Sequence, residues 1–168
     1  MALALVDQLR FTRAEWQRGL EGVSDADARR RIEPMNALSW MIGHLAWHER
    51  LVWAERGLGL AVEPGLDAVA NGAPASAPPL EAMWTAWARI VAISDPLLDG
   101  LTPDGLEQTL AFDRRRHPPV AGTELLHVIY HYWGHIGEAS AVRQMLGHER
   151  PPEFVGDIDH LAPYRADR

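Results

Sequence analysis

TELLHVIYHYWGHIGEASAVRQMLG, residues 123–147, is the stretch that decides the fold, and its pattern is that of one long amphipathic helix. Thr123 is a predicted N-cap, Glu124 stands in the first turn, where the helix dipole favours an acid, and Gly147 is a predicted C′ stop. One apolar stripe recurs at three- and four-residue steps: Leu126, Ile129, Trp133 and Ile136. Such a stripe is typical of a helix that packs in a bundle.

A second stripe on the same predicted helix carries ionisable groups: Glu124, His127, His131, His135 and Glu138. Core burial does not explain a stripe of this kind. His131 and His135 are four residues apart, which places their Cβ atoms about 5–6 Å apart on a helix, close enough for both rings to bind one metal ion. Two solvated or hydrogen-bonded histidines are the alternative, and the spacing alone leaves both open.

Two glycines, Gly134 and Gly137, lie inside this predicted helix. Each costs about 1 kcal/mol relative to alanine in a helix interior, so each predicts a structural reason for its presence. A metal ion held close between helices is one such reason, and tight packing against a neighbouring helix is the other.

The segment SWMIGHLAWHERLVWAERG, residues 39–57, predicts a second helix with Ser39 as its N-cap and Gly57 at its end. His44 falls inside the apolar stripe of this helix, so its imidazole needs a partner, either a buried hydrogen bond or a metal ion. Two imidazoles do not complete a metal site, and His44 is therefore the best candidate for a third ligand.

Polar residues follow His44 along the same helix. His48, one turn further on, has three interpretations: it supports a ligand, it faces a substrate, or it is merely exposed. A further set is interpreted as solvated, with weak local pairing at most: Glu49, Arg50, Glu55 and Arg56.

Composition excludes several classes of protein. The 168 residues include no cysteine, so neither a disulfide framework nor a thiolate metal site can form, and any catalytic thiol must come from outside the chain. The formal charge of −7, with scattered arginines as the basic residues, argues against nucleic acid as a partner. No stretch approaches the ~20 apolar residues that span a bilayer. We therefore expect a cytoplasmic protein that does not bind membranes.

The remaining periodicity predicts helices at about 3–21 and 80–98. With the helices at 39–56 and 123–146, these give an all-α fold, a four-helix bundle of up-and-down or crossover topology. Residues 57–79 contain four glycines and four prolines and are predicted to form a long surface loop that takes up the crossover. Residues 1–168 are expected to form a single domain.

Two segments, SWMIGHLAWHE and LLHVIYHYWGHIGEASAVRQMLG, resemble the DinB-like (DinB/YfiT) superfamily, and the likeness covers nearly the whole chain. The resemblance implies a four-helix bundle, often dimeric, that holds one divalent metal ion, usually zinc or nickel. Carried over, its three metal ligands are His44, His131 and His135. The family commonly has HRGQ after the last ligand, whereas this chain has Ile136, Gly137 and Glu138, which leaves the chemistry at the glutamine position open.

The resemblance also implies an enzyme with an open metal site and a small-molecule substrate. Characterised relatives include thiol S-transferases and an isomerase that use low-molecular-weight thiols. The working hypothesis is a thiol S-transferase-like enzyme or a metal-dependent hydrolase, in which the ion lowers the pKa of an incoming thiol or a water. Glu138 is a candidate catalytic residue, as a proton acceptor or as support for a ligand.

Two other classes compete with this hypothesis. In the first, the bundle is a non-catalytic binding or structural protein that the metal only staples together. In the second, it holds two metal ions bridged by carboxylates, which Glu124 and His127 suggest as an ExxH motif, but the sequence has no second ExxH.

Overall fold

The structure is a computed structural model that describes residues 3–153 and 155–165. The helices, in chain order, are α1 Ala4–Gly19, α2 Asp25–Arg29, α3 Leu38–Glu49, α4 Leu80–Asp99, α5 Pro103–Leu106, α6 Ala121–Met145 and α7 Ile158–Leu161. A π-helical segment, Arg50–Gly57, continues α3 without a break, and a 3₁₀ turn, Pro64–Val69, lies in the connection to α4. Four of these helices are long, namely α1, α3, α4 and α6, which confirms the predicted all-α, four-helix architecture. None of the described helices is long and apolar enough to cross a membrane.

α3 and α4 run parallel, because successive positions of the two helices meet in the same order. Gly43 lies against Met83 near the start of both helices, and Gly57 lies against Leu97 near the end of both. The connection between them must therefore return along the length of α3, which is a crossover.

α6 runs antiparallel to α3. Asn36, just before α3, contacts Glu138 near the C-terminal end of α6, whereas Arg56 contacts Glu124 near the N-terminal end. This pairing sets the histidines of the two helices face to face in the middle of the bundle.

Two predicted helix caps are wrong. Val120 rather than Thr123 is the N-cap of α6, and Ala37 rather than Ser39 is the N-cap of α3. A capping side chain is not needed at either end, because packing of the apolar face supplies most of a helix's stability in a folded protein. The other end of α6 is as predicted, since Gly147 has the positive φ of 85° that favours glycine after a helix.

The apolar face of α6 is wider than one stripe. Ile129 and Ile136 are buried as predicted, but Leu126 is 38% exposed while Leu125 and Tyr132 are fully buried. α6 packs against both α1 and α3, so its buried surface is rotated towards the space between those two helices.

The interpretation of Glu49 and Arg50 as solvated residues is wrong, because they are only 1% and 5% exposed. Glu49 is buried because α3 is covered on nearly all sides, whereas the π-helical repeat that begins at Arg50 shifts the side chain of Arg50 away from a 3.6-residue period. Glu49 Oε1 accepts hydrogen bonds from Arg13 Nε at 2.9 Å and from the Tyr132 hydroxyl at 2.6 Å. Trp87 Nε1 donates to the same hydroxyl, also at 2.6 Å, so one buried network joins all four long helices.

The close approach predicted at Gly134 and Gly137 is not found within the described part of the chain. Both positions are exposed, and a Cβ added at either would meet no atom within 4 Å. Close approach is found at other helical glycines instead: an added Cβ at Gly43 would overlap Met83 and lie 3.0 Å from Val69 Cγ2, and one at Gly57 would overlap Leu97. The homodimer implied by the family resemblance stays a prediction.

Candidate metal centre

Three histidines from two antiparallel helices converge in the middle of the bundle. His44 of α3 and His131 and His135 of α6 each offer a ring nitrogen, and these three atoms lie within 4.8 Å of one another. The Nε2 atoms of His131 and His135 are 3.1 Å apart. Within residues 3–153 and 155–165, no other group of three or more histidine, aspartate or glutamate side chains could hold a metal ion.

His44 is held from outside by the connection between α3 and α4. Its Nδ1 lies 2.8 Å from the carbonyl oxygen of Val69, in a buried position. A carbonyl oxygen only accepts, so Nδ1 carries the proton and Nε2 keeps its lone pair in the neutral ring. This contact is not predictable from the sequence, because a backbone acceptor leaves no side-chain pattern.

His135 is held by a carboxylate one turn further along α6. Its Nδ1 donates to Glu138 Oε2 at 2.8 Å, and Asn36 Nδ2 donates to Glu138 Oε1 at 3.0 Å. Both carboxylate oxygens are therefore engaged, and the bond from His135 lowers the pKa of Glu138. Asn36 is a contributor that periodicity missed, since it lies in the turn before α3 and belongs to no stripe.

His131 is held by another histidine. Its Nδ1 lies 2.9 Å from His48 Nδ1, so one of the two rings donates to the other. His48 is only 7% exposed, whereas His127, whose ring centroid is 4.8 Å from that of His48, is exposed. Of the three interpretations of His48 in the sequence, the contacts favour support of a ligand.

Burial sets the charge of this cluster. Desolvation is the main cause that lowers the pKa of His44, the pKa of His48 to about 3 and the pKa of His131 to about 2, and the neighbouring imidazoles lower all three further. These rings are therefore neutral at physiological pH, and the neutral imidazole is the form that binds a metal ion.

Indole rings enclose His44. Trp40 stacks on its ring with centroids 4.5 Å apart, and Trp47 stacks at 5.3 Å. The Trp40 ring also meets His135 edge-on at 6.5 Å. Trp40 Nε1 is buried and finds no hydrogen-bond acceptor among the described residues. The cluster thus has an apolar, aromatic wall.

The remaining histidines and the ExxH pair lie outside this cluster. Glu124 is buried between Arg56 and Arg115, and its nearest approach to His127 is 3.9 Å. A carboxylate already paired with two guanidinium groups is a poor candidate for a di-metal site, as the missing second ExxH predicted. His148 pairs with Asp27 and His160 with Asp157, both remote from the cluster in the chain.

Comparison with known proteins bears on both the fold and the site. A family model described as the DinB superfamily matches residues 8–139, a range that contains all three converging histidines and Glu138. A crystal structure of a conserved protein from Enterococcus faecalis is similar over 88% of this chain and 99% of its own, with a TM-score of 0.61 and 17% identity. At that identity the likeness shows the fold alone. No curated protein matches the chain.

Proposed function

Because the chain belongs to the DinB superfamily, we propose that it is a metal-dependent enzyme in which His44, His131 and His135 bind one divalent ion and leave part of its coordination sphere open to a small molecule. The observation that carries this proposal is the set of hydrogen bonds made by the Nδ1 atoms of the three histidines. All three Nδ1 atoms are occupied by other partners, so all three Nε2 atoms are available to one ion.

The donor set fits a first-row divalent metal. Imidazoles with hydrogen-bonded Nδ1 atoms are typical ligands of zinc and nickel, and with no cysteine in the chain no thiolate competes for the site. The partners also differ in basicity: a carbonyl supports His44, a carboxylate supports His135 and an imidazole supports His131. Zinc or nickel is the proposed cofactor.

When bound, a divalent ion supplies Lewis acidity, which lowers the pKa of a coordinated thiol or water molecule so that a nucleophile exists near neutral pH. The chain's own residues hold the ligands. Trp40 and Trp47 cover the faces of the His44 ring. Glu138 has both oxygens engaged, so we assign it to holding His135 rather than to taking a proton from the substrate.

The proposed reaction is transfer from or to a low-molecular-weight thiol, with hydrolysis as the second candidate. A thiol fits a chain without cysteine, because the cosubstrate would supply the only sulfur nucleophile at the site. Hydrolysis is the second candidate, because a water molecule needs no further binding surface beside the ion. We propose that its partners are small molecules rather than nucleic acid or membrane, and that the protein is cytoplasmic.

A purely structural metal is the competing proposal. It would require a fourth protein ligand. The two nearest candidates, His48 and Glu138, are instead hydrogen-bonded to the Nδ1 atoms of His131 and His135. The bundle also has a continuous apolar core and the buried Arg13–Glu49 network to hold it together without an ion. Both observations favour an open site.

The first test is elemental analysis of protein purified without a histidine tag. We expect close to one divalent ion per chain in the wild type and loss of that ion in His131→Ala. His127→Ala is the matched control, because His127 lies one turn away on the same helix face but outside the converging group. Full metal content in His131→Ala would refute the site.

The second test identifies the reaction. Metal-loaded protein is titrated in a thermal-shift assay with a panel of low-molecular-weight thiols and then assayed for turnover of an electrophile such as a haloarene. Stabilisation that disappears in His135→Ala supports the transferase, whereas metal-dependent ester or amide cleavage without any thiol response supports the hydrolase. If neither response appears and the metal is essential for folding, the enzyme proposal is abandoned for the structural alternative.

A further inference from the structure

The 3₁₀ turn Pro64–Val69 packs on α3 beside His44. Leu66 and Val69 are only 1% and 2% exposed, although the segment lies in a connection rich in glycine and proline. The buried side chains fix the turn against the bundle, and the Val69 carbonyl reaches His44 Nδ1 at 2.8 Å. The turn therefore supplies a hydrogen bond to a proposed metal ligand from a different part of the chain.

Gly43 makes this contact sterically accessible. A Cβ at position 43 would lie 3.0 Å from Val69 Cγ2 and would overlap the sulfur of Met83. Contacts of that length are tighter than ordinary packing allows, so a residue larger than glycine would require the Val69 and Met83 side chains to shift. The absence of a side chain at the residue before His44 is thus what lets Val69 approach.

Arg50 fixes the turn from its other end. Its guanidinium is buried, with Nη1 donating to the carbonyl oxygen of Glu63 at 2.9 Å and Nη2 to Asp67 Oδ1 at 2.5 Å. Glu63 itself has a positive φ of 47° and pairs with Arg89 of α4 at 3.1 Å. The segment that carries His44 therefore continues into the residue that holds the turn in place.

We propose that the Pro64–Val69 turn is a positioning element for the metal site, because it holds His44 in the tautomer and orientation that bind an ion. A bound ion in return holds the turn against α3. The inference rests on the proposed function, because it needs an ion at His44. The coupling must act in both directions, since linkage between two equilibria is reciprocal. A hydrogen-bond partner of a metal-bound histidine typically changes metal affinity by about 10–100-fold.

The test combines hydrogen exchange with affinity, neither of which requires a substrate. In the full-length wild type, zinc should slow amide exchange in residues 62–70 relative to metal-free protein. Gly43→Ala, which pushes Val69 away, should weaken zinc binding by about 10–100-fold in a competition assay with a chromophoric chelator. Gly65→Ala is the matched control, because it lies in the same turn and an added Cβ there meets no atom within 4 Å.

A second variant covers the case in which Gly43→Ala fails to fold. Arg50→Gln removes the anchor while leaving His44 and Val69 unchanged, and it should also weaken zinc binding with an unchanged helical circular dichroism spectrum. Wild-type affinity in both Gly43→Ala and Arg50→Gln, or zinc that leaves exchange in residues 62–70 unaltered, would overturn the inference while leaving the metal site intact. Failure of the wild type to bind any zinc or nickel would instead overturn the proposed function, and this inference with it.

Discussion

The Nδ1 atoms of His48 and His131 lie 2.9 Å apart, so one imidazole donates a hydrogen bond to the other. If His131 binds an ion through Nε2, its Nδ1 must be the donor and His48 must accept. His48→Leu then leaves a buried donor without a partner and should weaken zinc affinity by about 10–100-fold. His48→Asn keeps an acceptor oxygen near the position of Nδ1 and should recover most of the affinity. Equal zinc affinity in the leucine and asparagine variants, measured by chelator competition, would show that the bond does not support the ligand.

The buried imidazoles predict that the metal-free protein loses stability in acid. The pKa of His48 and the pKa of His131 are lowered from 6.5 to about 3 and about 2, mainly by burial. The unfolded chain therefore takes up protons first as the pH falls below about 6.5, and the folded state loses up to about 1.4 kcal/mol per pH unit for each such ring. Above that pH the rings contribute no dependence, because they are neutral in both states.

Urea denaturation of metal-free protein at pH 7.5, 6.5 and 5.5 measures this effect before the carboxylates titrate. The free energy of unfolding should fall between pH 6.5 and 5.5, and His48→Asn should reduce the slope by the contribution of one ring. An unfolding free energy that is constant from pH 7.5 to 5.5 would contradict the burial of neutral histidines.

The Arg13–Glu49 pair predicts a large effect of a single substitution on stability. Arg13 and Glu49 are 4% and 1% exposed, and removing one partner of a buried pair leaves an uncompensated charge, which typically costs about 3–5 kcal/mol. Arg13→Met should therefore lower the free energy of unfolding by about that amount at pH 7.5, because Glu49 would keep no cationic partner among the described residues, whereas Arg13 would keep Asp95 at 2.9 Å if Glu49 were removed. Asp99→Ala is the control, since its pair with Arg10 is largely exposed and such pairs contribute about 1 kcal/mol or less. Similar losses in the two variants would mean that the network is solvated.

Gly134 and Gly43 are both helical glycines, yet they predict opposite effects of alanine. The added methyl at position 134 meets no atom of the described chain, so Gly134→Ala should raise the free energy of unfolding by about 0.5–1 kcal/mol through helix propensity. Gly43→Ala should lower it, because Met83 and Val69 must move. Destabilisation by Gly134→Ala in chemical denaturation would mean that another molecule, such as a second copy of the chain, packs on this face.

The predicted fold depended on periodicity, and periodicity succeeded where α-helical geometry is regular. The four long helices and the three converging histidines lie where three- and four-residue spacing placed them. It failed at Glu49, because α3 is buried on nearly all sides and has no solvated face, and at Arg50, where the chain changes to a π-helical repeat and a 3.6-residue projection no longer says which side chains face inward. The burial of a charged residue can be predicted only when its partner is known. The partner of Glu49 is Arg13, which lies 36 positions away in the sequence.

The surroundings of the candidate site were harder to predict than its ligands. The four-residue spacing of His131 and His135 on one helix predicts them as ligands, whereas their supporting groups come from separate segments. The Val69 carbonyl is a backbone atom in a connection that reads as an irregular loop, and any residue type offers the same carbonyl. Asn36 lies in a turn, where no periodicity exists to place it opposite Glu138.

Glu138 distinguishes support of a ligand from proton transfer, because the two roles respond differently to the same pair of substitutions. Its Oε2 accepts from His135 Nδ1 at 2.8 Å, and a glutamine at this position would still present an acceptor oxygen to that nitrogen. Glu138→Gln should therefore keep zinc affinity within about tenfold of the wild type, the loss reflecting the stronger bond that a charged acceptor makes. Glu138→Leu removes the acceptor and should cost about 10–100-fold in affinity. Turnover measured at saturating metal completes the comparison: a supporting residue leaves substantial activity in Glu138→Gln, whereas a general base would lose about 10²–10⁴-fold in rate with the ion still bound. Asn36→Ala supplies the control for orientation, since it removes the donor to Oε1 but leaves the carboxylate in place, and it should reproduce only part of the effect of Glu138→Leu.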